Sequence, residues 1–367
     1  MLNKLKSIAK DLLSNRRIRA AYNNFNRAVL TIGSSSRAAA TVASAIGFVT
    51  FNREQYAVMR GRSRYYSSLE KQRRNHIGLR RNVHRLEKGM IMQPRRDVFA
   101  LDYIEETIEF FEPAAAQQRS GGGEGMDASE FEWARDVLAR YFGMITVANP
   151  VVDAARRRYE AAMRGLEAAP ADDQKAPFER ADSQVVELSY EQMMDLAMRR
   201  RSIRWFEQRP VPRELIDQAM LVARQAPSAC NRLPYEYRFF DEPELTKRIA
   251  GIPFGSGGYS HQIPTVAVVI GKLDHYFSPR DRHAIYVDSS LSAMSFLFAL
   301  ETLGLSSTII NWPDFEPLEA KMQRTLGLDP SERVIMLIAI GYAQDKGGVP
   351  FSQKKDLDSI RSFNKLL

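Results

Sequence analysis

Two stretches of this chain leave almost no room for solvent. TVAVVIG (265–271) and RVIMLIAIGY (333–342) are continuous apolar runs rich in branched residues. A strand with one wet face alternates polar and apolar residues, whereas an unbroken run reads as a strand buried on both faces. Between them, SSLSAMSFLFALETLGL (289–305) is apolar nearly all round. Its helix must therefore be buried centrally or at a subunit interface. YEYRFF (235–240) reads as a further strand. The pattern predicts a sheet wrapped by helices from about Val185 to the end, long enough for one real core.

The whole chain has 367 residues and suits two or three units. AAAQQRSGGGEGMDAS has a Gly triplet and no apolar period, and EAAPADDQKAPFERADS is Ala-, Pro- and acid-rich. These two stretches predict a basic helical region over 1–113, a flexible loop over 114–130, a helical segment over 131–166 and a linker over 167–187. In LRRNVHRLEKGMIMQPRR (79–96), Leu79, Val83, Leu86 and Met90 make one helix stripe. Arg81, Arg85 and Lys88 share another face, either an anion- or partner-binding surface or the solvated side of a core-docked helix. His84 reads as an ordinary helix-surface histidine.

A single cysteine, Cys230, excludes an internal disulfide framework and fits a reducing compartment. Five scattered histidines and one cysteine leave a structural zinc site almost without ligands, so no metal is expected. The net charge of +8 divides sharply along the chain. Residues 1–100 carry 21 Lys and Arg against 5 Asp and Glu; the remaining 267 carry 31 against 39. The basic character thus belongs to an N-terminal arm, which anionic lipid, nucleic acid or an acidic polymer would attract.

Within that arm, MLNKLKSIAKDLL sets Leu2, Leu5, Ile8 and Leu12 on one face and three lysines around it. Such a helix either lies on a membrane surface or docks on the protein's own body. The uncharged stretch 38–52 is too short to span a bilayer and reads as a buried helix or a shallow interfacial segment. It also lies too deep in the chain for an ordinary secretory signal. The expected location is cytoplasmic, with peripheral contact to anionic membrane through residues 1–100. Tyr22, Phe25, Tyr56 and Tyr65 interleave with the arm's cations, but no nucleic-acid-binding fold is recognisable, so nucleic acid is not an expected partner.

The C-terminal part opens with a capping box, Ser189 and Gln192, ahead of a short helix. Then comes MRRRSIRWF (198–206), after which Pro212 sits at the first position of another helix. In extended conformation Arg200, Ser202 and Arg204 project from one side, while Arg199 and Arg201 point elsewhere. Two guanidiniums and a hydroxyl converging in this way make a phosphate clamp; a basic helix end complementing its own dipole is the simpler alternative. QAPSACNRLPYEYRFF (225–240) supplies a helix-to-strand loop of small residues. A flat ring could approach that backbone closely, with Asn231 and main-chain amides available to carbonyl and imide edges.

Taken together, RRSIRWFEQRPVPRELIDQAMLVARQAPSACNRLPYEYRFF resembles the opening of the nitroreductase family of FMN-dependent oxidoreductases. HQIPTVAVVIGKLD, DSSLSAMSFLFALETLGLSSTII and the segment ending in Ile-Gly-Tyr follow in the family's order. The resemblance covers about 188–367 and implies an α+β fold, a mixed central sheet wrapped by helices, here preceded by a mainly helical N-terminal region. It implies that Arg200, Ser202 and Arg204 hold the FMN phosphate and ribityl chain. It further implies that Pro227 and Ser228 touch the flavin ring from the partner subunit of a homodimer, with Asn231 in the same loop. Lys354, with Lys355 as the near alternative, falls where the family places a late basic residue. Asn311 and Trp312 lie in the loop facing flavin N5.

This chain departs from the family pattern at Leu233, at Asn311-Trp312-Pro313 and at Lys354. Trp312 is thereby placed to narrow or cover the substrate side. The glycine-rich GIPFGSGGYS (251–260) does not sit as a nucleotide fingerprint and reads as a mobile loop over the pocket. His261, His275 and His283 read as surface or structural residues, and Cys230 as a small filler rather than a redox thiol. The resulting expectation is hydride passed from NAD(P)H through flavin N5 to an electron-poor small-molecule acceptor in ping-pong fashion, without a protein nucleophile. The competing expectation keeps the fold without turnover, as a flavin-binding or scaffold protein docked by its basic arm.

Overall fold

The computed structural model describes residues 16–47, 49–71, 76–120, 126–170, 173–183 and 185–366. The candidate membrane-surface helix MLNKLKSIAKDLL therefore lies outside the described residues. The first half of the chain is helical: α1 (Arg16–Gly33), α2 (Arg37–Gly47), α3 (Val49–Lys71), α4 (Ile77–Met90), α5 (Ile104–Arg119), α6 (Ala128–Met144) and α7 (Pro150–Ala162). The α4 stripe Leu79, Val83, Leu86 and Met90 is buried as its spacing requires. It joins Ile108, Phe111, Leu138, Tyr141 and Val152 in one core spanning α4 to α7. Each such side chain contributes about 1.5–3 kcal/mol on burial.

Two boundaries differ from the sequence expectation. The expected loop over 114–130 is helical as far as Arg119, and α6 begins again at Ala128. Ala114 to Gln118 are good helix formers, and Ala114 and Ala115 are buried against the α4–α7 core. Asp127 then starts α6 by accepting from the backbone N–H groups of Ser129 and Glu130. The segment over 131–166 shares this core instead of standing apart. Part of the 167–187 linker also lies on α6, where Asp136 accepts from the Lys175 N–H at 3.0 Å.

The second half contains α8 (Tyr190–Arg199), α9 (Arg213–Ala223), β1 (Tyr235–Phe240), α10 (Pro243–Ala250), β2 (Thr265–Lys272), α11 (Ala284–Thr302), β3 (Ser306–Asn311), α12 (Glu316–Leu326), β4 (Glu332–Gly341) and α13 (Leu357–Ile360). The fold is α+β. Its strands are ordered β1-β2-β4-β3 and pair antiparallel. Among the described residues the parallel component is one bridge, Ser202 with Ser307. The two apolar runs occupy the central strands, and both of their faces are buried. Ala267, Val269, Ile338 and Ile340 pack with α9 and α11, whereas Val266, Val268, Leu337 and Ala339 pack with α10 and α12. Helix α11 is long and apolar enough to cross a membrane by length and composition, but half of its apolar window is buried inside the fold. Pro212 takes the N-cap of α9 and not its first helical position, so the helix starts one residue later than expected.

Helix α3 belongs to this second core although it lies in the basic arm. Ala57 and Val58 are buried in the same cluster as the α9 and α11 residues, packed mainly on the turn at Leu273–His275. Its arginines reach across the chain: Arg53 forms a bidentate ion pair with Glu316, Arg60 and Arg64 meet Asp329 at 3.2 Å, and Arg62 donates to the Phe277 carbonyl at 2.9 Å. Arg81 of α4 stacks over Phe277 and Arg85 over Tyr103. The positive arm is therefore partly neutralised by the acidic remainder of the same chain. Of the stretch 38–52, residues 38–42 are mostly exposed, so a buried helix is not what forms there.

Candidate functional site

Helix α8 starts at the capping box, with both reciprocal hydrogen bonds present. It ends because Arg200 leaves helical geometry at ψ 108°. The chain then runs extended beside β3: Ser202 bridges Ser307, and the Ile203 N–H donates to the Ser307 carbonyl at 3.1 Å. Farther on, the Phe206 N–H donates to Gln262 Oε1 at 2.7 Å, and the Gln262 side-chain amide donates to the Arg204 carbonyl. Ile203 and Phe206 face the core. Extension places Arg200, Ser202 and Arg204 in one row.

All three residues of that row are half-buried. Arg199 instead pairs with Glu301 of α11 at 3.2 Å. Burial pushes the Glu301 carboxyl up, and Arg199 and Arg200 oppose that shift. The Arg204 guanidinium lies 6.0 Å from the centre of the Tyr259 ring. Burial likewise raises the Tyr259 hydroxyl, again opposed by Arg204. Among the described residues neither Arg200 nor Arg204 is within ion-pair distance of a carboxylate. Two half-buried guanidiniums and a hydroxyl that alternate along an extended segment, with neither arginine in an ion pair among the described residues, are a donor set that fits a phosphate.

The loop after α9 has unusual backbone geometry. Cys230, Asn231 and Leu233 have φ of 55°, 51° and 46°, a region that residues with a Cβ rarely adopt. Several hydrogen bonds hold it. The Leu233 N–H donates to Ser228 Oγ at 3.1 Å, and the Ala229 N–H donates to Asp288 Oδ2 at 2.9 Å. Burial raises the Asp288 carboxyl against the pull of that N–H, the Tyr276 hydroxyl and Arg232. Pro227 is exposed, while Ser228 and Asn231 are half-buried. Among the described residues no hydrogen bond joins this loop to the 200–204 row within one protomer.

Asn311 ends β3 exposed, four residues beyond Ser307, or about 13 Å along the strand at the usual rise. Trp312 departs from expectation. Its indole is buried and donates to Glu319 Oε1 at 2.6 Å, so it does not cover a substrate face. Glu319 is pushed up by burial, with Arg333 and the indole opposing; an acceptor this deep draws the indole inward. Lys354 and Lys355 are exposed and lie outside regular secondary structure. The glycine-rich segment is pinned rather than free: Tyr259 and Ser256 are buried, and the Ser256 hydroxyl donates to the Ala250 carbonyl. His275 is buried against Asp274, His261 is exposed, and His283 precedes α11. Cys230 is half-buried and free. No group of three or more metal-ligating side chains occurs among the described residues.

Several residues of this neighbourhood carry no sequence signal. Gln262 and Tyr259 lie in a stretch whose glycines dominate it, yet they buttress Arg204. Asp288 sits on an apolar helix, where a buried carboxylate is a sign of function or of a specific partner. Arg80 of α4 donates to the Asn231 carbonyl from 151 residues away.

The model of the Nitroreductase family matches residues 197–256 and 256–342. Iodotyrosine deiodinase 1 of Rattus norvegicus is 22% identical over 209 residues, 49% of this chain and 72% of its own length. A putative NADH dehydrogenase/NAD(P)H nitroreductase of Archaeoglobus fulgidus is 27% identical over 160 residues, 42% of this chain and 88% of its own. Among solved structures, an FMN-dependent nitroreductase from Clostridium difficile R20291 aligns with 47% of this chain and all of its own, at 21% identity and a TM-score of 0.42. The chain therefore carries a nitroreductase-family domain in its C-terminal half, across residues 197–342, behind a helical half that the family model leaves unmatched.

Proposed function

We propose that this protein is an FMN-dependent oxidoreductase that takes hydride from NAD(P)H and delivers it to an electron-poor small molecule by ping-pong turnover. Membership of the nitroreductase family supports the flavin-dependent oxidoreductase part of this statement. The observation that carries the cofactor is the row Arg200, Ser202 and Arg204, half-buried, held against β3 through the Ser202–Ser307 bridge and, among the described residues, with neither arginine in an ion pair. FMN, when bound, supplies hydride acceptance and donation at its N5. The chain binds the phosphate at that row and presents the end of β3, at Asn311, to the ring. A nitro group can be reduced to the hydroxylamine, and a carbon–iodine bond can be reductively cleaved with release of iodide; relatives named for each occur. Purified protein should be yellow and bleach with NAD(P)H; recovery with a nitroaromatic or with an iodinated tyrosine identifies the acceptor class.

We also propose a homodimer with FMN at its interface. Val287, Leu291 and Met294 form an exposed apolar stripe on α11, and Phe351, Phe363 and Leu366 of the tail are exposed. These surfaces fit a second copy, whose Pro227 and Ser228 would complete the flavin site. A second reading concerns the arm. Ile18, Phe25 and Ile32 lie along one side of α1 and are exposed, and residues 16–47 carry five arginines and no acidic residue. That combination suits the surface of an anionic membrane, with the domain itself in the cytoplasm. If the flavin is held without turnover, this docking becomes the protein's role.

A further inference from the structure

We infer that Arg80, in the helical half of the chain, is a positioning residue for the flavin-facing loop 228–233. This inference rests on the functional reading above and gives the helical half, which lies outside the family domain, a part in cofactor binding.

The loop needs external support. Three of its residues that carry a Cβ, Cys230, Asn231 and Leu233, stand at positive φ. Such geometry persists only where surrounding contacts over-determine it. Most of those contacts come from within the C-terminal domain: Ser228 accepts from the N–H groups of Asn231 and Leu233, and Asp288 from that of Ala229. Among the described residues, one such hydrogen bond comes from outside. Arg80 Nε donates to the Asn231 carbonyl at 2.9 Å, at the centre of the left-handed stretch.

Arg80 is itself held in place before it reaches the loop. Its other arm pairs with Glu130 of α6 at 2.9 Å, and its guanidinium lies over the Trp133 ring at 5.4 Å. Trp133 in turn donates from its indole nitrogen to Glu87 of α4 at 2.9 Å. A planar fork fixed by a carboxylate and a ring on one side aims its remaining donor with little freedom left to lose. Both members of the Arg80–Glu130 pair are about one-fifth exposed, so solvent screens the contact less than it would a surface pair. A backbone carbonyl fixed by a cation also fixes the peptide plane that orients its neighbours.

Three proteins test the assignment: wild type, Arg80→Ala and Arg80→Lys, each at full length. FMN affinity is read by flavin fluorescence, bound-flavin absorption by its visible band shape, and the loop by hydrogen exchange of the 229–233 amides without FMN. Loss of the charge-assisted bond is expected to weaken FMN binding about tenfold. Amide exchange in the loop should rise while α4–α7 stay protected, and the bound-flavin band should change shape. Arg80→Lys should not restore affinity, because an ammonium cannot bridge the carbonyl and Glu130 as the fork does. Should Arg80→Ala fail to fold, Glu130→Gln leaves the guanidinium in place and should move both readouts in the same direction by less. Unchanged FMN affinity and unchanged loop exchange in Arg80→Ala, with wild type binding FMN, overturn this assignment alone. A wild type that binds no FMN overturns the functional reading and the assignment with it.

Discussion

Ser202 pairs with Ser307 in a parallel bridge beside the antiparallel sheet, and the Ile203 N–H, one residue on, donates to the Ser307 carbonyl at 3.1 Å. That pairing turns an arginine-rich segment into a rigid extended row. Replacing Arg204 with Ala removes one charge-assisted donor and should weaken FMN binding about 10- to 100-fold. Titration of apoprotein with FMN checks this. Arg199→Ala, which removes only the partner of Glu301, should leave FMN affinity nearly unchanged.

Close packing of the arm predicts a second effect. A Cβ added to Gly61 of α3 would stand 2.7 Å from Leu273 Cβ and 2.8 Å from the Leu273 carbonyl oxygen. Backbone cannot yield as a flexible side chain does. Ala gains up to about 1 kcal/mol of helix propensity over Gly, but overpacking costs about 1–3 kcal/mol. Gly61→Ala should therefore lower stability by up to about 2 kcal/mol in urea unfolding, although the same change in a solvated helix would raise it.

Acid should loosen the same contact. Burial alone would raise the Asp274 carboxyl, but His275 and Arg64 hold it below its ordinary 3.8. A carboxylate with a depressed folded pKa contributes stability that is present above the unfolded value and is lost as pH falls through the folded one. Urea midpoints taken from about pH 5 down to about pH 3 should fall more steeply for wild type than for Asp274→Asn.

The exposed tail predicts a link between assembly and cofactor. Deleting residues 349–367 removes Phe351, Phe363 and Leu366, which touch little of their own chain. The truncated protein should sediment with a larger monomer fraction and bind FMN more weakly. A fully dimeric truncation with unchanged affinity would show that the tail has no part in either.

The strands, the all-apolar helix and the α4 stripe were legible because each repeats one local pattern over many residues. For Arg200, Ser202 and Arg204 alternation names the residues that share one side of an extended segment, and the structure supplies the backbone pairing with Ser307 that holds it. Trp312 was not legible: its direction depends on Glu319, whose burial arises from α12 packing on the sheet. Ala114 to Arg119 are helical although the adjoining glycines imply a loop, because burial of Ala114 and Ala115 carries the helix onward. Arg80 could not be found locally, since its partner is 151 residues away. The arm's net charge was visible, but its neutralisation by Glu316 and Asp329 is a property of the folded chain.

The central claim is that this chain holds FMN at the Arg200–Arg204 row and turns it over. Its most direct test is one anaerobic cuvette of full-length protein reconstituted with FMN. On adding NAD(P)H the flavin absorbance should bleach, and on adding a nitroaromatic or an iodinated tyrosine it should return with stoichiometric product. Protein that binds no FMN, or bound flavin that NAD(P)H never bleaches, would contradict the account.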